Sequence, residues 1–388
     1  MKKLTRKTVA ILLSFAMIIT MFAGSLFTAA ADEPVGVPDS SLFYAGAGES
    51  AIKFDQAMFP VEGFNGEVDT DPYVRALLFK DSSGTRSAIV TCELVNVPAD
   101  VVADIQNMVE EKSGTPAENV WVHANHTITT PHAPGDETAR ALYVSSVETA
   151  AEAAVDQAVQ TFQAAKMGIG TGTCGINANR NLLYSNGQYN IGDLAPDNEE
   201  RGIVHNEEMT VISFAGLDNN PIGMAISYGF KPSTIDNAEM SENTRKISSD
   251  VSGIACLAME AAFGAPCMFI MGASGDQLAK ETTCYFTVDE QGNFSKGLFK
   301  SVAYGKALVD KYAPVMSASA IGIANNIEYT YTDPLIKVAS SMFTYSNNKG
   351  DGLVTIDVNG MVFGDDLALI GLKPEVDAIT ERQLWEGS

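Results

Sequence analysis

Short apolar runs of strand length alternate with segments of helical period from residue 51 to residue 384, and that alternation admits few architectures. Val74–Phe79 and Ser87–Leu94 flank the turn-like Asp81–Thr85 and predict a hairpin. Apolar Val101, Val102, Ile105, Met108 and Val109 give Pro98–Lys112 a helical period, and Val120–His123 follows as a short strand. Glu137–Lys166 is Ala-rich, acidic and long in helical period. Lys166–Cys174, Met209–Phe214 and Pro221–Phe230 read as strands, Ile247–Phe263 as a helix, and Cys267–Met271 as a buried strand. Ala51–Phe54 and Ala320–Tyr331 also read as strands, and Ser295–Tyr312 as a helix. Leu367–Leu372 then Pro374–Leu384 reads as strand, turn and helix, with proline at a permitted first helical position. The alternation predicts an α/β fold of mixed β-sheets layered with α-helices.

The chain has 388 residues, with 48 Asp and Glu against 25 Lys and Arg, for a net charge of −23. A partner with a phosphate backbone needs a basic patch, so nucleic acid is not expected. An apolar fraction of 46% with 19% charged residues excludes a disordered chain. Lys2, Lys3, Arg6 and Lys7 precede the apolar Val9–Phe22, and Thr28–Asp32 reads T-A-A-A-D. That is the pattern of an export signal cut after Ala31, so residues 1–31 are expected to be a signal peptide. Its removal takes away four cations and no acid, leaving 357 residues at a net charge of −27. A secreted or extracytoplasmic protein with no stable membrane span after cleavage is therefore expected. Five cysteines with no C-x-x-C spacing sit mostly in apolar segments and read as small buried residues.

Three of the four histidines fall within ten residues, His123, His126 and His132, in V-H-A-N-H-T-I-T-T-P-H; the fourth is His205. Imidazoles on one strand-to-loop segment can supply zinc ligands or a general base. His123 and His126, three apart, do not leave a strand on the same face. Gly272–Asp276, G-A-S-G-D, follows a buried strand and brings backbone amides together. Asp276 stands where a G-x-S-x-G nucleophile elbow needs glycine, so Ser274 reads as a pocket residue and Asp276 as a group at the site rim.

Several segments, in order, resemble the N-terminal domain of the neutral/alkaline non-lysosomal ceramidase family. Ala124–His132 resembles that family's T-H-T-H-S-G-P segment, and Cys174–Leu182 its N-R-R run. Asn206–Phe214 and Asn220–Ser227 are similar to its next two strands, and Phe230–Ser233 to its H-P-T turn. Ile247–Asp250, Phe269–Asp276 and Gly364–Glu375 resemble its I-S-A-D, Q-G-A-A-G-D and G-L-P-G-E segments. The match runs over about residues 40 to 388 and implies one α/β domain over residues 32–388 whose C-terminal end is missing. The family hydrolyses the N-acyl bond of ceramide with a zinc held by two His, a Glu and a Tyr.

Carried over by position, His126 matches the first zinc His and Glu375 the zinc Glu. The second His of the T-H-T-H pair is Ile128 here, and the second zinc His falls on Lys231. The serine of the family's G-D-V-S-P run falls on Leu278, and the tyrosine ligand lies beyond the end of the chain. Two readings follow. In one, the chain is a secreted ceramidase-like hydrolase of an N-acyl amide or related ester. His126 and Glu375 then hold zinc, His123, His132 or His205 supplies a third ligand, and His132 and Asp276 orient substrate or water. In the other, it is an inactive extracellular binding protein that keeps the fold and a pocket lined by His123, Lys231 and Ser274. There the Lys231 ammonium takes the metal's place and pairs with Glu375. The expected partner is a small-molecule or lipid-like amide, and the acid excess makes docking on anionic bilayers costly. N-terminal sequencing of the protein exported by a secretion-competent host should begin at Asp32; a mature chain starting at Met1 would overturn the export reading.

Overall fold

Residues on alternate sides of eight strands go to different places, one set between two sheets and the other beneath helices. The computed structural model describes residues 41–387 except 180, 184–188, 192–204, 236–243, 282–283, 289–290, 292–293, 299–301, 347–351 and 374. The export segment lies outside the described residues. In the first sheet, β1 (Tyr44–Ala51), β2 (Tyr73–Lys80) and β3 (Arg86–Cys92) are antiparallel neighbours. The edge strand β4 (Val120–Ala124) runs parallel to β3, and α1 (Ala99–Ser113) makes the crossover. The helix α2 (Glu137–Gln160) then leads into the second sheet. There β5 (Gln163–Thr173), β6 (Glu208–Gly216) and β7 (Pro221–Tyr228) are antiparallel. The helix α3 (Asp250–Phe263) crosses to β8 (Cys267–Met271), which runs parallel to β7, and α4 (Val302–Ala324) packs beside α3.

Hydrogen bonding between β1 and β5 is confined to Tyr44–Ala45 and Gln163–Ala164, so the strands bend there into two sheets stacked face to face. Phe79 on β2 meets Phe214 on β6 with ring centroids 4.8 Å apart, although two strands, β1 and β5, intervene in the hydrogen-bonded order. Leu77, Phe79, Ile89, Met167, Ile212, Phe214 and Met268 fill this inner layer. Their strand neighbours point the opposite way, as a period of two requires. Val74, Ala76, Leu78 and Val90 lie under Val101, Ile105, Tyr143 and Val147 of α1 and α2. Val211, Met224, Ile226 and Phe269 lie under Val251, Met259 and Met316 of α3 and α4. The result is four layers, helix, sheet, sheet, helix, and each fully buried Leu, Ile or Phe contributes about 1.5–3 kcal/mol.

Local signals set the helix ends. The Asp136 side chain accepts a hydrogen bond from Ala139 N at the start of α2. Gly114 and Gly264 close α1 and α3 in the left-handed region, at φ 70° each. Close packing has its own requirement: a Cβ at Gly48 of β1 would lie 2.0 Å from Ala154 O of α2. Only glycine lets that helix settle on the strand.

Beyond the sandwich, β9 (Ile336–Ser346), β10 (Leu353–Phe363) and β11 (Leu367–Lys373) form a three-stranded antiparallel sheet, followed by α5 (Ala378–Gly387). Ile336, Met361 and Phe363 from one face of its base join the inner layer.

The α/β reading holds, and several boundaries move. The first strand is Tyr44–Ala51 rather than Ala51–Phe54, and the helix expected from Ile247 starts at Asp250, after a short strand Arg245–Ile247. The helix expected to reach Lys166 stops at Gln160, where Thr161 N and its hydroxyl take the last carbonyls and strand β5 begins. Ser295 lies in a short strand, Phe294–Leu298, rather than in a helix. Ala320–Ala324 is the last turn of α4 rather than strand, because Ile323 packs over the glycine face of β5, where Gly170 and Gly172 leave room. Cys92, Cys174, Cys256 and Cys267 are free and buried, as expected, and burial pushes the Cys92 thiol up to about 12.

One guanidinium is buried at the end of the sandwich. Arg75 on β2 is 1% exposed and contacts Glu93, Glu260 at 2.7 Å and Glu49 at 3.5 Å. Three carboxylates on one cation cannot all stay ionised. Burial, then the neighbouring Glu260, raises Glu49 to about 8 against the attraction of Arg75. A raised acid stabilises the fold fully below its unfolded value of 4.5, and that contribution is lost as pH rises through about 8. Glu49→Gln, which mimics the protonated form, should therefore gain stability relative to the parent between pH 5 and 9 in urea unfolding. Parallel pH curves for the two proteins would show that Glu49 is not the proton-bearing member.

Candidate functional site

Three chain segments that are distant in sequence meet on one carboxylate. His126 follows β4, Lys231 follows β7, and Glu375 follows β11 by two residues. Lys231 Nζ lies 2.8 Å from Glu375 Oε2, and His126 Nδ1 lies against the other oxygen, Oε1. The Lys231 side chain is 7% exposed and that of Glu375 24%. Burial raises the Glu375 carboxyl, but hydrogen bonds from His126 and Lys231 and their charges outweigh it, so Glu375 sits at about 2.

Each segment is fixed by its own hydrogen bonds. His126 adopts φ 58°, the left-handed region, which costs a non-glycine residue about 1 kcal/mol. The cost is held in place on both sides: Asn125 N donates to Cys92 O, Thr127 N to Leu94 O, and Ile128 N to Pro232 O, each at 3.1 Å. The last bond ties the His126 loop directly to the Lys231 turn. That turn is anchored by fully buried Phe230, stacked on Tyr228 at 6.2 Å, and by the Tyr228 hydroxyl, which donates to Cys174 O. Gly275 N donates to Val376 O at 2.8 Å, and Ala378 N to Asp276 Oδ1 at 3.1 Å, so the G-A-S-G-D turn holds the Glu375 segment.

The other expected residues take different positions. His123 sits beneath the site, where its Nε2 accepts from Met271 N at 3.2 Å and so joins the edge of one sheet to the edge of the other. Burial pulls His123 down to about 4 against the pull of Glu375, so it is a neutral acceptor. His132 turns to Glu62, with both its backbone N and Nδ1 at 3.0 Å from Glu62 Oε2. His205 Nε2 is 3.5 Å from Glu207 Oε1. Asp276 is buried and accepts from Asn179 and Gln277, each at 2.7 Å, besides Ala378. Ser274 is 1% exposed, and its hydroxyl has no partner among the described residues. Asn179 and Gln277 escape the sequence reading; their only signal is a polar side chain within short strands that prove to pair with each other.

This site lies on a fold shared with solved ceramidases. A ceramidase solved in complex with C2 aligns with 81% of this chain at a TM-score of 0.58 and 16% identity. The neutral ceramidase from Pseudomonas aeruginosa aligns over the same share at a TM-score of 0.57 and 16% identity. The chain spans 50% of the length of each. No family's sequence model matches the chain, and no curated protein does. The likeness establishes the fold that the ordered sequence segments imply.

The donor set at this point does not fit a zinc ion. A catalytic zinc takes three protein ligands and leaves one position open. His126 and Glu375 are two donors, and the third place is held by an ammonium that has no lone pair and repels a divalent cation. Among the described residues no group of three or more His, Cys, Asp or Glu is placed to hold a metal. A depressed carboxyl such as Glu375 contributes stability above its unfolded value of 4.5 that is lost as pH falls through about 2. Glu375→Gln should be clearly less stable than the parent at pH 6. The gap should narrow as the pH falls from 4.5 to 2, as read from denaturant midpoints, and a gap that stays constant would contradict the pairing.

Proposed function

We propose that this chain is a hydrolase of an N-acyl amide or related ester that works without zinc, from the His126–Glu375 pair. The observation that carries the reading is the ammonium of Lys231 on one oxygen of Glu375 while His126 takes the other. With Nδ1 turned to the carboxylate, the imidazole carries its proton there, and Nε2 keeps the lone pair. Water bound at Nε2 gives up a proton to it as the water oxygen attacks the acyl carbon. The imidazolium then returns that proton to the departing amine nitrogen or alkoxide oxygen, leaving a carboxylic acid and an amine or alcohol. Lys231 keeps Glu375 ionised, so the carboxylate orients the imidazole instead of taking its proton. Asp276 supports this as a positioning residue, through the backbone of the Glu375 segment. The export-type N-terminus and the acid excess favour action outside the cytoplasm, on substrates other than those in anionic bilayers.

A second reading has its own support. Leu278, buried in the Gln277–Ala279 strand, replaces a serine of the resembled family, and Lys231 replaces an imidazole. Both changes favour a binding protein that retains the fold without the chemistry.

Elemental analysis of the purified mature protein, paired with a screen of short N-acyl substrates, separates these readings. The expected result is zinc far below one per chain, turnover of at least one substrate, and a loss of about 10²–10⁴-fold in His126→Ala. Lys231→His should raise bound zinc. Stoichiometric zinc in the unaltered protein would overturn the metal-free site, and a zinc-free protein without turnover leaves the binding reading.

A further inference from the structure

Next to the His126 loop lies a small cavity with an unmatched positive charge, on a chain whose net charge is −23. It forms where the strand Arg245–Ile247 runs beside the strand Phe64–Val68, with Arg245 directly opposite Phe64. The Arg245 guanidinium carbon sits 4.3 Å from the centre of the Phe64 ring, and Phe64 is 1% exposed. Thr129 of the His126 loop, Lys306 of α4 and the apolar Ile235 also border the cavity. Its volume is about 40 Å³, room for about three waters.

A guanidinium carries five N–H donors. Arg245 directs Nη2 to Ile128 O at 3.1 Å and Nη1 to Glu62 O at 3.4 Å, and both partners are neutral carbonyls. Among the described residues no carboxylate lies within ion-pair distance of it. Glu62, whose carboxyl feels the charge of Arg245, turns Oε2 to His132 instead. The other two cations at the cavity are paired, Lys306 with Asp69 at 3.1 Å and Lys246 with Glu67 at 2.7 Å. The hydroxyls are engaged as well, Thr129 on Ser248 O and Ser248 with Thr70. One half-buried guanidinium is left with spare donors and no counter-charge, in a protein with nearly two acids for each base.

The unmet charge selects an anion, and the planar fork of a guanidinium matches the two oxygens of a carboxylate. The volume admits a carboxyl group and the carbon that bears it, and Phe64 and Ile235 offer that stem an apolar wall. The cavity also shares chain with the site. Ile128, whose carbonyl takes Arg245, donates its own N to Pro232 O beside Lys231, and Thr129 O accepts from Ser248 N.

We propose that this cavity binds an organic carboxylate, with Arg245 as its principal contact and Lys306 adding charge at the wall. The carboxylate comes from the acid end of a substrate or from a free acid, such as the acid that acyl hydrolysis releases. The pocket goes beyond the hydrolase reading, and only its use on a substrate rests on that reading. The test is calorimetric titration of the purified mature protein with hexanoate, with the neutral hexanamide, and with inorganic phosphate. Hexanoate should bind with a dissociation constant on the order of 1 mM, and hexanamide about tenfold more weakly or worse. Arg245→Gln should weaken hexanoate about tenfold or more and leave hexanamide unchanged, and Arg245→Lys should fall between. Lys306→Gln, at a half-exposed side chain that the fold tolerates, should weaken hexanoate about twofold to threefold. Equal binding of acid and amide, no binding, or an Arg245→Gln protein that binds hexanoate as the parent does would each overturn the proposal. Tighter binding of phosphate than of hexanoate would overturn the carboxylate assignment.

Kinetics separate the two sources. An N-acyl substrate with a carboxylate on its amine part is compared with its methyl ester. A KM at least about tenfold lower for the acid, lost in Arg245→Gln with kcat kept, identifies the substrate's own carboxylate. Equal KM values alongside hexanoate binding identify a free acid. Hexanoate binding without turnover of either compound defeats the hydrolase reading alone, and turnover without hexanoate binding defeats the pocket alone.

Discussion

A lysine ammonium shut away from water has to keep a carboxylate, and in this chain that need joins three distant loops. Lys231, 7% exposed, cannot be left unpaired without a penalty of about 3–5 kcal/mol. Glu375 answers it from the far end of the chain, and His126 closes the other side of the carboxylate. The surrounding bonds follow the same logic. The His126 loop is tied to the Lys231 turn through Ile128 and Pro232, and the Glu375 segment is tied to the Gly272–Asp276 turn through Gly275 and Ala378. Cation, carboxylate and imidazole are held by backbone hydrogen bonds, so their geometry does not depend on long flexible side chains alone.

Topology explains why these loops meet. Parallel pairs need crossovers, and the sandwich has two, β3 with β4 and β7 with β8, each through one helix. His126 leaves the C-terminal end of β4, Lys231 that of β7, and the Gly272–Asp276 turn that of β8. Ligand and catalytic groups gather at the carboxyl ends of parallel strands in α/β sheets for the same reason. His123, bonded to Met271 N, joins the two sheet edges just beneath. A donor on an edge strand is satisfied there by a histidine that burial keeps neutral, about 4, so it accepts at any ordinary pH.

Much of this was legible in the sequence, and the omissions have physical causes. The hairpin of β2 and β3 stands out as two apolar runs about a turn because both of its faces are covered, and α1 shows a clear period because Val101, Ile105 and Val109 are buried while its other side is open. The Lys231–Glu375 pair was visible as a substitution in an otherwise ordered set of segments. The end of α4 was hidden because Ile321, Ile323 and Ile327 are β-branched and locally strand-like, while packing on the glycines of β5 favours a helix up to Ala324. Strands β9 and β10 were missed because their exposed faces mix Ser, Thr and Asn with apolar residues, and one-sided burial is confined to their base. The role of Asp276 depends on Asn179, almost a hundred residues away, which no local pattern reveals.

The division of the sandwich also bears on the order in which the molecule is assembled. Apart from Ile247, the outer core of the first sheet draws on residues 52–158, and that of the second on residues 174–320. Each half is thus built from nearly contiguous chain, whose short loop closures carry a low entropic cost and allow it to condense on its own contacts. The inner layer, with Phe79 against Phe214, forms only when the halves dock. During synthesis from the N-terminus, His126 belongs to the early half, Lys231 to the later one, and Glu375 to the segment that follows β11. Until the Glu375 segment arrives the ammonium lacks this counter-charge, so the site is assembled only after both halves have been made.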